Sequence, residues 1–108
     1  MKAFDIYTWN FPGAGEHPAV ILGTDERIAH KPKINVLLCT SQRVSRPAKA
    51  DEVLLNGADG LDWETLCKCD LIFSAPKEQL TRKRGTITIE RRRQIAERII
   101  RVLGFAGL

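Results

Sequence analysis

Apolar residues in this chain fall in short runs, some alternating with polar residues and some nearly continuous, each closed by a glycine, a proline or a polar cluster. Phe4-Asp5-Ile6-Tyr7-Thr8-Trp9 alternates large apolar and polar groups and is rich in aromatic and β-branched residues, which predicts a half-buried strand. Asn10–Gly15 follows as a turn-rich loop, in which Pro12 removes a donor and the glycines allow left-handed backbone angles. His17–Gly23 is almost wholly apolar and predicts a central strand with Pro18 at its entry, where proline costs least in a ladder. Thr24–Lys33 reads as a polar connection, and Ile34–Ser41 as a second buried strand ending in two hydroxyl side chains. Gln42–Asp51 is polar, basic and broken by Pro47, a loop long enough to lie across a site. Glu52–Leu55 predicts a short strand, Asn56–Gly60 a turn, and Leu61–Thr65 one short helical turn.

Leu66–Phe73 carries the most informative alternation. Period two puts Lys68 and Asp70 on one strand face and Cys67 and Cys69 on the other. A cation and a carboxylate so placed are either a surface pair at a sheet rim or a base beside its electrostatic partner. Lys77–Thr88 connects further short strands. Helical period appears only near the end, where Ile95, Ala96, Ile99, Val102 and Leu103 follow i, i+3/i+4 spacing with arginines on the other faces. Thr88 is the expected N-cap and Gly104 the expected stop, giving a helix of about four turns. Five or more short strands followed by one amphipathic helix predict a mainly β fold, an antiparallel barrel or sandwich with the helix over an open edge or end.

Composition narrows this picture. At 108 residues the chain is expected to be one domain spanning 1–108, with room for a single core. No apolar run approaches the ~18 residues of a membrane helix, and the first residues carry no secretory-signal pattern, so a cytoplasmic location is expected. Three cysteines, one pair spaced C-x-C, provide no disulfide framework and a poor match to zinc-ligand spacings; neither a metal nor another cofactor is expected. Charge is unevenly distributed. Residues 77–101 hold nine Lys/Arg against three Glu, a balance of +6, while the remainder contributes −2 to the net +4. A basic end on a nearly neutral body suits a polyanion or an acidic protein partner, or is a solvated helix face.

The polar residues at strand ends supply candidate chemistry. Asp70 and Lys68, the Thr40-Ser41 pair and His17 all stand where strands enter or leave a small barrel. Cleavage of RNA by its own 2′-hydroxyl needs a base for that hydroxyl, donors or cations for the phosphorane oxygens and an acid for the 5′-oxygen, which these residue types can provide. Each also has a structural role open to it: strand-end hydroxyls satisfy backbone groups, and Asp70 could cap a turn. Trp63, in a polar segment, is a better candidate than Trp9 for stacking on a base.

Taken in order, Phe4–Trp9, the Gly-containing loop, His17-Pro18-Ala19-Val20-Ile21-Leu22, Leu38-Cys39-Thr40-Ser41, Lys68-Cys69-Asp70 and the terminal amphipathic helix resemble the MazF/PemK/Kid family of toxins over almost the whole chain. The resemblance implies an SH3-like barrel of the MazF/PemK/CcdB type with a C-terminal helix. It also implies a homodimer, an endoribonuclease acting on single-stranded RNA, and neutralisation by an acidic, partly disordered antitoxin. By position, Asp70 matches the aspartate of the Arg-Cys-Asp pattern and Thr40-Ser41 the phosphate-contacting Thr-Ser pair, with Gln42 and Arg43 as the adjoining RNA-binding positions. Lys68 replaces the arginine of that pattern, and a lysine acts as a point charge without the bidentate fork. His17 replaces the arginine that commonly precedes the second strand, so either the acid role has moved to His17 or catalysis is weakened or lost. The loop Asn10–Glu16 is short for the family. A second reading, favoured by the two replacements, is a non-catalytic module on the same barrel that binds RNA or inhibits a protein such as a topoisomerase.

Overall fold

The computed structural model describes residues 1–42 and 46–108. Among them six strands form one antiparallel sheet: β1 (Asp5–Phe11), β2 (Gly15–Leu22), β3 (Lys33–Ser41), β4 (Glu52–Leu55), β5 (Thr65–Pro76) and β6 (Thr81–Thr86). Their order is β4-β5-β3-β2-β1-β6, so consecutive hairpins build the middle and the short strands β4 and β6 form the edges. The sheet curls into a half-barrel, which brings the loop before β5 against β6. There the backbones meet at Gly60 and Gly85, and a Cβ on Gly85 would lie 2.0 Å from the Asp59 carbonyl oxygen.

Alternation sorts the apolar side chains onto two faces. Inside the curl, Ile6, Val20, Leu37, Cys39, Val53, Cys67 and Cys69 pack with Ile87 and with Ile95 of α2 (Ile89–Val102). On the outer face, Trp9, Phe11, Ala19, Ile21, Val36, Leu38 and Ala75 pack with Ile28 of α1 (Asp25–His30) and with Leu80. The first strand is therefore buried on both faces, not half-buried: Asp5, Ile6, Thr8, Trp9 and Phe11 are all buried. The outer cluster that covers its second face includes Ile28 of α1, a helix that stands where a polar connection was expected. Its single buried residue, Ile28, is too few to give a helical period, although Thr24 caps it by accepting from the Arg27 N–H at 3.2 Å. Lys77 Nζ closes the other end by donating to the carbonyls of Ile28 and Ala29, at 2.6 and 3.2 Å.

The C-terminal helix follows its sequence signals. Thr88 Oγ1 accepts from the Arg91 N–H, and Gly104 takes φ +80° just beyond the last turn. α2 packs on the edge strand β4 and its neighbour β5 and inserts Ile95 into the inner core. Asp59 anchors its start, accepting from the Thr88 N–H at 3.0 Å and pairing with Arg91. The short helical turn stands at Gly57–Asp59, within the predicted turn, and not at Leu61–Thr65. Asn56 caps it, so the chain reaches β5 through a fixed corner.

Candidate active site

Thr40, Lys68, Asp70 and His17 gather at one end of the outer face, and the strand register shows how. Thr40 pairs with Leu66 and Cys39 with Cys67, so each pair shares a face. Cys39, Cys67 and Cys69 point inward, which leaves Thr40, Lys68 and Asp70 facing out. Ala19 stands opposite Leu38; two residues further along their strands come His17 and Thr40, on that same outer face. Ser41 takes the opposite face by alternation and is exposed at the strand end.

Asp70 owes its position to an irregularity in β5. The β3–β5 register passes from Leu37–Ile72 to Cys39–Cys67, two residues on β3 against five on β5. Along this excess β5 is unpaired with β3, while its other edge carries the end of the β4 ladder, where Glu52 stands opposite Lys68 and the Cys69 N–H reaches the Asp51 carbonyl at 2.9 Å. Bulges of this kind re-aim side chains at sheet rims. The result is an exposed carboxylate at Asp70, which has no hydrogen-bond or ion-pair partner among the described residues.

Lys68 is differently placed. Its ammonium pairs with Glu52, whose buried carboxylate also takes a bidentate pair from Arg46, both contacts at 2.8 Å, and the Lys49 N–H at 2.8 Å. Arg46 holds the Glu52 carboxyl far below the usual carboxylate range; burial opposes this, and Lys68 and the Lys49 N–H add to it. Two cations around one carboxylate leave the cluster with a net charge of +1 beside Asp70. Neither Glu52 nor Arg46 is distinguished by the one-dimensional pattern. The available signal was a carboxylate opening an otherwise apolar four-residue strand, where a buried charge requires a partner.

The remaining candidates have local supports. The Thr40 hydroxyl accepts from Gln42 Nε2 at 3.1 Å, and the Gln42 N–H donates to the Glu64 carbonyl at 2.9 Å, tying the end of β3 to the segment before β5. His17 lies on β2, which begins earlier than expected, at Gly15, so that Pro18 stands inside the strand; the β2–β3 ladder opens only at Ala19, and a missing donor is tolerated there. The His17 ring lies 6.4 Å from that of Phe11, with Nε2 3.0 Å from the Ala14 carbonyl oxygen. A carbonyl only accepts, so Nε2 carries the proton and Nδ1 is left for other partners. Arg43 lies outside the described residues. Trp9 is a core residue, its indole N–H donating to Gln79 at 3.0 Å, whereas Trp63 is 65% exposed. Among the described residues no group of three or more His, Cys, Asp or Glu is placed to hold a metal ion, and no helix is long and apolar enough to cross a membrane. The three cysteines are buried and free, and the Cys67 thiol is pushed well up by its contacts with Cys39 and Cys69 and by burial, which keeps it protonated and unreactive.

The architecture is shared with solved structures. An endoribonuclease from a mycobacterial species, solved with its cognate antitoxin, superposes with a TM-score of 0.85 at 19% identity, covering 100% of this chain and 99% of that one. The Mycobacterium tuberculosis toxin MazF-mt6 superposes at 0.80 with 21% identity, covering 93% and 96%. A chain of a MazE–MazF crystal structure from Deinococcus radiodurans gives 0.75 at 18% identity, covering 98% of this chain and 97% of that one. No curated protein sequence matches the chain. A family model described as the PemK-like, MazF-like toxin of type II toxin–antitoxin systems matches residues 2–103.

Proposed function

Because the chain belongs to the PemK-like, MazF-like toxins of type II toxin–antitoxin systems, we propose that it is an endoribonuclease that cuts single-stranded RNA without a metal. The observation that carries this reading is the Asp70 carboxylate, exposed and unpartnered among the described residues, on the same outer face as Thr40, Lys68 and His17. Asp70 removes the proton of a ribose 2′-hydroxyl, and the 2′-oxygen attacks the adjoining phosphorus. The Thr40 hydroxyl, Ser41 and Gln42 donate to the phosphate oxygens, with Arg43 as a further phosphate contact. Lys68, held by Glu52 with donors to spare, stabilises the phosphorane as one member of the positively charged cluster. The leaving 5′-oxygen takes its proton from Nδ1 of the His17 imidazolium, protonated on both nitrogens, which then becomes the neutral ring still donating from Nε2 to the Ala14 carbonyl. The P–O5′ bond breaks, and the products are a 2′,3′-cyclic phosphate and a 5′-hydroxyl.

The same reading takes 1–108 as one toxin domain that acts in the cytoplasm as a homodimer. An acidic antitoxin neutralises it, and the basic stretch 77–101 is the surface whose charge suits such a partner. The test is digestion of a long single-stranded RNA in EDTA by the antitoxin-free protein and its Asp70→Asn variant, with the ends mapped. Discrete cuts leaving cyclic phosphates are expected from the first, and a rate lower by ~10²–10⁴ from the second. Full cleavage by Asp70→Asn would remove Asp70 as the base. No cleavage by either, from folded protein, would move the chain to the binding-module reading.

A further inference from the structure

Across β6 from the candidate active site's neighbouring segment lies a second polar surface that the reaction above does not use. Between Ile6–Gly85 and Thr8–Thr81 the β1–β6 register advances two residues on β1 and four on β6. The excess is taken up by three consecutive cations, Arg82, Lys83 and Arg84, which bulge from the edge strand. Arg82 adopts φ +41°, a conformation disfavoured for a residue with a side chain, and its carbonyl is held by the Thr8 hydroxyl at 3.4 Å. With Gly60 and Asp62 these cations line a groove of about 350 Å³. Only Lys83 has an ion-pair partner among the described residues, Asp5 at 3.4 Å, and it stays half exposed.

This groove is contiguous with the candidate active site along the chain. Asp62, in its wall, precedes Trp63, whose indole is 65% exposed and whose carbonyl accepts from the Thr65 hydroxyl at 3.0 Å. Thr65 pairs with Ser41, and the Glu64 carbonyl holds the Gln42 N–H. Strand pairing thus ties Thr40-Ser41-Gln42 to the segment that carries the exposed indole and one wall of the cationic groove. Basic side chains beside an exposed aromatic are how single strands are held without reading their sequence, with a base on the ring and phosphates on the cations.

We infer that Trp63 and the Arg82-Lys83-Arg84 bulge form an accessory site for single-stranded RNA flanking the cleaved bond, an inference that rests on the nuclease reading. A base stacks on Trp63, and the following phosphates lie in the groove against Arg82 and Lys83.

The experiment measures binding of a fluorescent single-stranded RNA with 2′-O-methyl riboses, which cannot be cut, to the unaltered protein and to Trp63→Ala, Trp63→Tyr and Arg82→Gln. Cleavage of the unmodified RNA by the unaltered protein is followed alongside, and thermal melts establish that each variant is folded. Trp63→Ala is expected to weaken binding ~10-fold, with Trp63→Tyr restoring most of it. Arg82→Gln is expected to flatten the dependence of log affinity on log salt by ~0.7, the loss of one phosphate contact. Unchanged RNA affinity in folded Trp63→Ala and Arg82→Gln, with cleavage by the unaltered protein intact, would overturn the accessory site and leave the nuclease standing. If Arg82→Gln instead lost affinity for poly-glutamate while RNA affinity held, the groove would be a protein-facing surface. An unaltered protein that neither binds nor cuts RNA would overturn both readings.

Discussion

Glu52→Gln isolates the buried charge beside the candidate site. The Glu52 carboxylate is 1% exposed and accepts two Arg46 contacts, the Lys49 N–H and Lys68. Glutamine keeps one acceptor oxygen and turns an NH₂ toward these donors. Removing one partner of a buried ion pair costs ~3–5 kcal/mol. Arg46 and Lys68 keep 34% and 21% of their side-chain exposure and can turn to water, so the lower end applies, about 3 kcal/mol. With a urea m-value near ~1.5 kcal/mol/M, the unfolding midpoint is expected to fall by about 2 M. The pH dependence supplies a second readout. A carboxylate depressed in the folded state contributes stability above its unfolded pKa and loses it as pH falls toward the folded value. The gap between the two proteins is therefore full at neutral pH and narrows as pH drops through 4.5, the ordinary value for this group. A midpoint change below ~0.5 M, or a gap unaffected by acid, would refute the assignment of Glu52 as the anchor of the cation cluster.

Three further outcomes test other parts of the structure. Lys68→Met leaves Glu52 held by Arg46 and is expected to cost about 1 kcal/mol in urea unfolding, but to slow RNA cleavage by ~10² in single-turnover assays. Gly85→Ala places a methyl 2.0 Å from the Asp59 carbonyl oxygen, where backbone must move; a loss of about 3 kcal/mol is expected, read as a fall in the thermal midpoint of ~4–8 °C per kcal/mol. Ile95→Ala empties a fully buried position where α2 enters the inner core, and ~2–5 kcal/mol should be lost in chemical unfolding with no change in the RNA ends produced by the remaining folded protein.

What the sequence by itself determined is what local chemistry encodes. Apolar runs located β2, β3 and β4, and alternation located β1 and β5 and assigned Cys67 and Cys69 inward against Lys68 and Asp70 outward, because side-chain direction in a strand depends only on parity. Thr88 and Gly104 marked the ends of α2 because capping is settled within a turn of the helix. The order of strand-end residues also carried the family resemblance. Tertiary structure decided the rest. The outer cluster that buries the second face of β1 draws Ile28 from α1, and the exposure of Asp70 goes with the break in the β3–β5 register. The pairing of Lys68 with Glu52 joins residues on separate strands, and the meeting of His17 with Thr40 on one face follows from the β2–β3 register. These features are set by which strands pair and how far each is shifted. Pairing and shift are chosen by the packing of two opposed cores across the whole sheet, a balance of non-local contacts that no short window of sequence contains.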